Sequence, residues 1–452
     1  MTKSQQPLPI TIFWFRRDLR LHDNHGLFLA LKENKNVLPI FIFDANIVQK
    51  LEDPYDRRVD FIHQALQSLQ TELKSFGSDL KCMHDTPIEA FRQLASDYRI
   101  DAVYCNYDYE AYAIERDAII KELLHQHHIP FHTFKDQVIF EKNEVVKDDG
   151  KPYTVFTPFS RKWKARLSSS DYAAFDTIAY SHHFYKTAGG ELPDLKTLGF
   201  VKTDIVFNKA ITVSTLLLEK YKSQRDIPSL QGTSKLSVYL RFGIVSIREL
   251  VRLSLPVSET WLNELIWREF YMMILWHFPH VGNKSFKPNY DRIQWLQDEQ
   301  GFKKWCEGKT GFAMVDAGMR ELNETGFMHN RVRMIVSSFL VKDLLIDWRW
   351  GEAYFAKKLN DFDLSANNGG WQWAAGCGCD AAPYFRIFNP TEQQKKFDPD
   401  FKYIKQWIPE FGSVKYPSPI VDHDLARKRA LNHYKRALTE HHTPNLFETL
   451  TD

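Results

Sequence analysis

Ile10–Phe15 reads ITIFWF, and Asn36–Phe43 reads NVLPIFIF. Both are short apolar runs rich in β-branched and aromatic residues, the pattern of strands buried on both faces. Outward from them, Val59, Ile62, Leu66, Leu69 and Leu73 recur at intervals of three and four, which predicts one face of a helix between Tyr55 and Gly77. Thr86-Pro87-Ile88-Glu89 is a capping box with proline at the first helical position, so a helix starts there. Asp101–Asp108 predicts a further strand, followed by a helix to about His127 and a last strand near Phe131. Strand and helix alternate, and parallel neighbours need crossovers. The expectation is an α/β N-terminal domain, a doubly wound parallel sheet, over about residues 1–135.

Residues 136–205 are poorly periodic, contain TAGGELPD and read as a linker between domains. From 206 to 452 the patterns are helical, predicting an all-α C-terminal domain. Ser246-Ile247-Arg248-Glu249 is a second capping box. Phe312, Val315, Met319 and Leu322 run at helical spacing, with Gly326 as the C-terminal cap.

A chain of 452 residues sets a prior of two or three domains. Its 59 basic and 57 acidic residues leave a net charge of +2, which excludes a histone-like basic protein or an acidic tail but not a local basic patch. Five cysteines make no disulfide framework. The first residues, MTKSQQPLPI, lack the pattern of a secretory signal, and no apolar run reaches membrane-spanning length. These features predict a reduced, soluble, intracellular protein with a large aromatic core; the expectation is a cytoplasmic monomer without membrane partners.

Nine of the twelve tryptophans lie between 261 and 373. Packing of a helical core accounts for most of them; stacking of a planar ligand or of bases is the sharper reading. On a helix Glu264 shares a face with Trp267 and stands one turn from Arg268. That is either an ordinary ion pair among core aromatics or a carboxyl and an indole lining one cavity. Asn330, Arg333 and Met334 fall on one helical face beside Arg331, a polar and polarisable set suited to a ligand, with His329 at the helix start. In Asp361–Trp373, Gly369-Gly370 allows close backbone approach, or marks a turn before a packed helix. If that segment is helical, Trp371 and Trp373 point about 200° apart. Gly232–Ser237 (GTSKLS) offers three hydroxyls and a lysine, a diphosphate cradle or an ordinary loop. Arg161–Arg166 and Arg427–Arg429 read as solvated basic faces. Cys377-Gly-Cys379 lacks a second thiolate pair, so no metal is expected.

Together these strings resemble the photolyase/cryptochrome family, and most of all the class I cyclobutane pyrimidine dimer photolyases. The likeness runs from Phe13 to about Pro409 and is most specific at Asn263–Phe270, His329–Met334 and Asp361–Pro390, which contains WQWAA and DAAPYFRIFNP. The resemblance implies an α/β antenna domain and a helical domain holding FAD, reduced and deprotonated in the active form. It implies that Tyr221, Thr233, Ser234, Lys235, Leu236, Ser237, Trp261, Arg333, Asp361, Asp363 and Asn367 bind this cofactor. Lys235 stands where relatives carry Arg, and Asn367 matches the residue that faces flavin N5.

The implied substrate is DNA containing cyclobutane pyrimidine dimers. Having lost stacking and good pairing, a dimer is cheaper to flip out than normal bases. It would enter a pocket between Trp267 and Trp373, with Glu264, Asn330 and Met334 on the bases and Arg225, Arg268, Arg331 and Arg386 on phosphates. Excited FAD would donate an electron, the cyclobutane ring would split, and the electron would return. Trp371, Trp348 and Trp295 match the family's electron-transfer chain from flavin to surface.

The alternative is a signalling cryptochrome, DASH-type included. Asn367, where plant relatives place Asp and animal ones Cys, favours repair. Asn330 and Met334 replace the histidines of the (6-4) photolyases. The Asn-Glu pair of folate-binding relatives is absent after Asn106-Tyr-Asp-Tyr-Glu110. That argues against a folate antenna and leaves a deazaflavin, a second flavin or none.

Overall fold

The computed structural model describes residues 8–187 and 190–439. The predicted N-terminal reading at Met1–Pro7, part of TAGGELPD and the end of the C-terminal helical tail lie outside these residues. The chain forms two compact units. One comprises residues 1–153, 157–222 and 233–276; the other comprises 154–156, 223–232 and 277–452.

The first unit is built on five parallel strands, β1 (Ile10–Phe15), β2 (Val37–Asp44), β3 (Lys81–Asp85), β4 (Ile100–Asn106) and β5 (Phe131–Phe134), in the order β3-β2-β1-β4-β5. Every residue of β1 and β2 is buried, as their unbroken apolar runs require. The crossovers include helices His25–Glu33, Arg57–Ser75, Pro87–Asp97 and Ala111–Gln126. Thr86 caps its helix as the capping box predicts, its hydroxyl accepting from the Glu89 amide. Sequence reasoning does not find β3. Its residues, KCMHD, are half-exposed at a sheet edge and lack the apolar run of a central strand.

The same unit contains helices Ser237–Arg241 and Ile247–Ser254 and all but the end residues of helices Phe156–Arg166, Thr215–Gln224 and Glu259–His277. Residues 136–205 therefore hold a helix that their weak periodicity does not announce. Trp163, inside the basic string 161–166, is 1% exposed, so that string is not wholly a solvated face.

A buried polar network fastens the Ile247–Ser254 helix. Arg248 donates to Asp23 (2.8 Å) and Asp136 (2.7 Å), Arg20 donates to Asp136 (2.7 Å), and the Ser246 hydroxyl donates to Asp23 (2.6 Å). Burial pushes the Asp136 carboxyl up, but Arg20 and Arg248 outweigh it and hold its pKa down at about 2.

The second unit is helical. Ala313–Thr325 ends at Gly326, whose φ of 68° is the left-handed conformation expected of a glycine cap. Helix Asn330–Ser338 continues into a π-helical turn, Phe339–Asp343. Helices Trp348–Lys358, Leu364–Ala375, Pro390–Phe397, Lys402–Trp407 and His423–Thr439 follow. Gly369-Gly370 is not a turn but the interior of Leu364–Ala375, and Gly376 (φ 84°) ends that helix. In the Cys-Gly-Cys string, Gly378 lies against Gln372, and burial pushes both thiols up to about 12, which makes them inert core groups.

Lys342, on the π-helical turn, is 1% exposed. Its ammonium donates to the carbonyls of Ala375 (3.1 Å) and Tyr384 (3.4 Å) and lies 3.6 Å from the Tyr434 ring centroid. Burial pushes its pKa down to about 7. Between about pH 7 and 10.5 the unfolded chain binds this proton and the folded one does not, so this group makes stability rise with pH there. Lys342→Met should flatten that rise, as read from urea midpoints at pH 7, 8 and 9. An unchanged slope would mean that Lys342 keeps its proton.

Candidate functional site

The predicted site residues are carried by both units. In the first, Tyr221 is half-buried on helix Thr215–Gln224. Thr233 and Ser234 are half-buried, Leu236 is buried, and Lys235 and Ser237 are exposed. Lys235 has a left-handed backbone (φ 52°), which turns the chain sharply into helix Ser237–Arg241. The string is thus a loop with hydroxyls and a cation, opening a helix.

Trp261, Glu264, Trp267 and Arg268 sit on helix Glu259–His277. Trp261 is buried at 4%, whereas Glu264, Trp267 and Arg268 are half-buried on the face that the i, i+3 and i, i+4 spacing predicts. The Trp267 ring stacks on Tyr271 (5.5 Å between centroids) and meets Phe270 edge-on (5.6 Å). Arg268 donates to the Gln137 carbonyl at 2.5 Å.

Glu269, one residue on, is a positioning group that sequence reasoning misses. Its carboxyl accepts from the Trp163 indole (2.6 Å) and from the backbone amides of Ile139 (2.7 Å) and Phe140 (3.1 Å). Arg268 and Glu269 thereby pin residues 137–140 to the helix that carries Glu264 and Trp267. Burial pushes the Glu269 carboxyl up to about 8, against the pull of those donors.

In the second unit, helix Asn330–Ser338 starts at His329, whose ring nitrogen accepts from the Arg331 amide (3.1 Å). This is the predicted helix-start histidine. Asn330 is exposed, and Arg331, Arg333 and Met334 are half-buried. Arg333 and Asp361 meet, with Nη2 2.9 and 3.2 Å from the two carboxylate oxygens, while Nε donates to the Met328 carbonyl (2.8 Å). Asp363 caps helix Leu364–Ala375, accepting from the amides of Ser365 (3.1 Å) and Ala366 (3.3 Å).

Asn367, in the second turn, donates to the Glu352 carboxylate (2.8 Å) and carbonyl (3.1 Å). Glu352 is a second residue that sequence reasoning misses. Burial raises its pKa, the Asn367 bond opposing. A carboxyl set among the aromatics of Trp348–Phe355 is the only signal the sequence offers for it.

Trp371 and Trp348 are 2% and 1% exposed, and Trp295 is half-buried against the same core cluster. Trp371 contacts Phe355 (5.0 Å) and Trp305 (6.0 Å), and Trp295 meets Tyr434 (5.9 Å). Trp373 points away from Trp371 and lies half-buried near Phe388 (6.3 Å). Arg225 is half-buried and Arg386 exposed.

Gly370 bears on what this helix holds. A glycine inside a helix costs about 1 kcal/mol relative to alanine, yet among the described residues nothing beyond its chain neighbours and its own helix's backbone lies within 4 Å of the position its Cβ would take. Packing does not demand it, and the backbone there is open to close approach. Helix Leu364–Ala375 packs against both Asn330–Ser338 and Trp348–Lys358. One helix thus carries the open Gly370 backbone, the Asn367 amide and the buried Trp371 indole, and Arg333 on a neighbouring helix pairs with Asp361. Among the described residues, no cluster of His, Cys, Asp and Glu could hold a metal ion.

A doubly wound α/β unit with a helical unit is the architecture that the sequence predicts. Family profiles agree: DNA photolyase matches residues 11–178, and the FAD-binding domain of DNA photolyase matches residues 261–415. A deoxyribodipyrimidine photo-lyase of Alkalihalophilus pseudofirmus is 38% identical, the match covering 93% of this chain and 97% of that one. The class III photolyase of Agrobacterium tumefaciens superposes with a TM-score of 0.85 at 32% identity, covering 97% and 99% of the two chains. The photolyase of Sulfolobus tokodaii, solved with two FAD molecules, gives 0.83 at 33% identity, covering 95% and 100%. The chain belongs to the DNA photolyase family and carries its FAD-binding domain.

Proposed function

We propose that the protein splits cyclobutane pyrimidine dimers in DNA under blue light, acting as a cytoplasmic monomer. No helix among the described residues is long and apolar enough to cross a membrane. The observation that carries the reading is helix Leu364–Ala375, which bears Asn367, Gly370, Trp371 and Trp373. Residues 1–135 serve as the antenna domain, 136–205 as a linker, and 206–452 as the catalytic part. FAD, when bound and reduced, supplies light absorption and the electron.

The chain's own residues do the rest. Tyr221, Thr233, Ser234, Lys235, Leu236, Ser237, Trp261, Arg333, Asp361 and Asp363 hold the cofactor, and Asn367 faces the reactive edge of its ring. Arg225, Arg268, Arg331 and Arg386 bind phosphates around the flipped lesion, which makes binding salt-dependent. Trp267 and Trp373 replace the stacking that the flipped bases lose. Glu264, when protonated, donates a hydrogen bond to a thymine carbonyl, while Asn330 and Met334 complete the contacts to the bases. Trp371, Trp348 and Trp295 pass electrons in from the surface.

Base–indole stacking is worth about 1–3 kcal/mol. Trp267→Ala should therefore weaken binding to a dimer-bearing duplex about 5- to 150-fold, with little change for an undamaged duplex. Fluorescence anisotropy with both duplexes checks this, and equal losses on the two would remove Trp267 from the lesion pocket.

A further inference from the structure

The segment Ser223–Gly232 forms a closed loop in the second unit. Ile227 donates to the Gln224 carbonyl (3.0 Å) and Leu230 to the Ile227 carbonyl (3.1 Å). The chain then returns onto its own start. A Cβ at Gly232 would lie 2.7 Å from the Gln224 Cβ and 2.8 Å from its carbonyl oxygen, so only glycine lets the loop close. Within the loop, Asp226 reaches Arg331 in the first turn of helix Asn330–Ser338. Arg331 Nη2 lies 2.8 Å and Nε 3.3 Å from Asp226 Oδ1.

Two further contacts hold the same guanidinium. Its Cζ sits 4.4 Å from the Phe397 ring centroid, and Nη1 points at the Met334 sulfur at 3.5 Å. A thioether is a weak acceptor that a phosphate oxygen would readily displace. The Arg331 side chain is 17% exposed and that of Asp226 42%.

We infer that Asp226 is a positioning residue of the lesion-binding surface: by holding Arg331 between the Phe397 ring and Met334, it presets the guanidinium for a phosphate and braces the sulfur that meets the bases. This rests on the photolyase reading, in which Arg331 and Met334 touch DNA. A carboxylate beside a phosphate-binding arginine subtracts charge, which by itself weakens DNA binding. An ion pair this exposed also adds little stability. What it supplies is order. A long arginine chain that is already immobilised does not lose its rotamer freedom again on binding, and three contacts to one guanidinium are the geometry of that function.

The two effects of the carboxylate predict opposite outcomes for Asp226→Asn. Affinity for duplexes with and without one thymine dimer, measured on the flavin-loaded full chain across a salt series, separates them. Positioning predicts about fivefold weaker binding to the dimer duplex, a smaller change on the undamaged one, and recovery of part of the loss in Asp226→Glu. Equal or tighter binding, with a steeper salt dependence, would show that Asp226 only offsets charge and would overturn the proposal. Phe397→Leu loosens the same guanidinium without altering charge and should reproduce the loss. If neither variant weakens dimer binding, Arg331 is not preset. Wild-type protein with no preference for the dimer duplex would overturn the photolyase reading itself, and this inference with it.

Discussion

Gly351→Ala should stop light-driven reduction of the flavin and lower the melting temperature. A Cβ at Gly351 would lie 2.1 Å from Trp371 Cη2, 2.4 Å from its Cζ3 and 2.6 Å from Leu340 Cδ2. None of these atoms has room to yield. Trp371 is walled in by Phe355 and Trp305, and Leu340 is fully buried. Overpacking of this kind costs about 1–3 kcal/mol, which lowers the melting temperature by roughly 5 °C in a unit of this size. On the electron-transfer role proposed for Trp371, the displaced indole would no longer feed electrons inward. The check is the light-induced loss of oxidised-flavin absorbance with an external donor, beside a thermal melt. Normal photoreduction in a protein that has lost stability would separate Trp371 from electron supply.

Glu269→Ala should have the largest effect on stability. It leaves the Trp163 indole and the amides of Ile139 and Phe140 without their acceptor. Each buried donor left unsatisfied costs about 1–3 kcal/mol, so the total exceeds about 3 kcal/mol, a large part of a domain's usual margin of about 5–15 kcal/mol. The wild-type pH dependence has a definite sign. With the folded pKa raised to about 8 from 4.5, the folded state binds more protons than the unfolded one between those values. This group therefore makes stability fall as pH rises from about 4.5 to 8, opposite to the Lys342 contribution above pH 7. Urea midpoints from pH 5 to 8 should decline in the wild type and flatten in the variant. A midpoint that rises over this range in the wild type, with no such change of slope in the variant, would contradict the assignment.

The sheet was legible because β1 and β2 are buried on both faces and their sequences are apolar throughout. The caps at Thr86, Ser246 and Gly326 were legible because a cap is a local motif. β3 was not, since an edge strand pairs on one side only and need not be apolar. The Gly369-Gly370 pair reads as a turn by propensity, yet it lies inside helix Leu364–Ala375. Asp226 and Glu269 escaped because their roles rest on pairings between distant segments, and Glu352 because its partner Asn367 lies on the next helix. Asp226 and Arg331 are 105 residues apart, and Glu269 and Trp163 are 106 apart, a spacing that carries no periodicity.

The central claim is light-driven dimer repair. The most direct measurement follows thymine absorbance of an oligothymidine carrying cyclobutane dimers, mixed with the reduced, FAD-loaded protein, under blue light and in darkness. The account predicts recovery in the light alone, lost in the Glu264→Ala/Trp267→Ala double variant although that variant keeps its FAD. No recovery on single- or double-stranded substrate, from wild-type protein whose FAD is bound and photoreducible, would contradict it and point to a signalling cryptochrome.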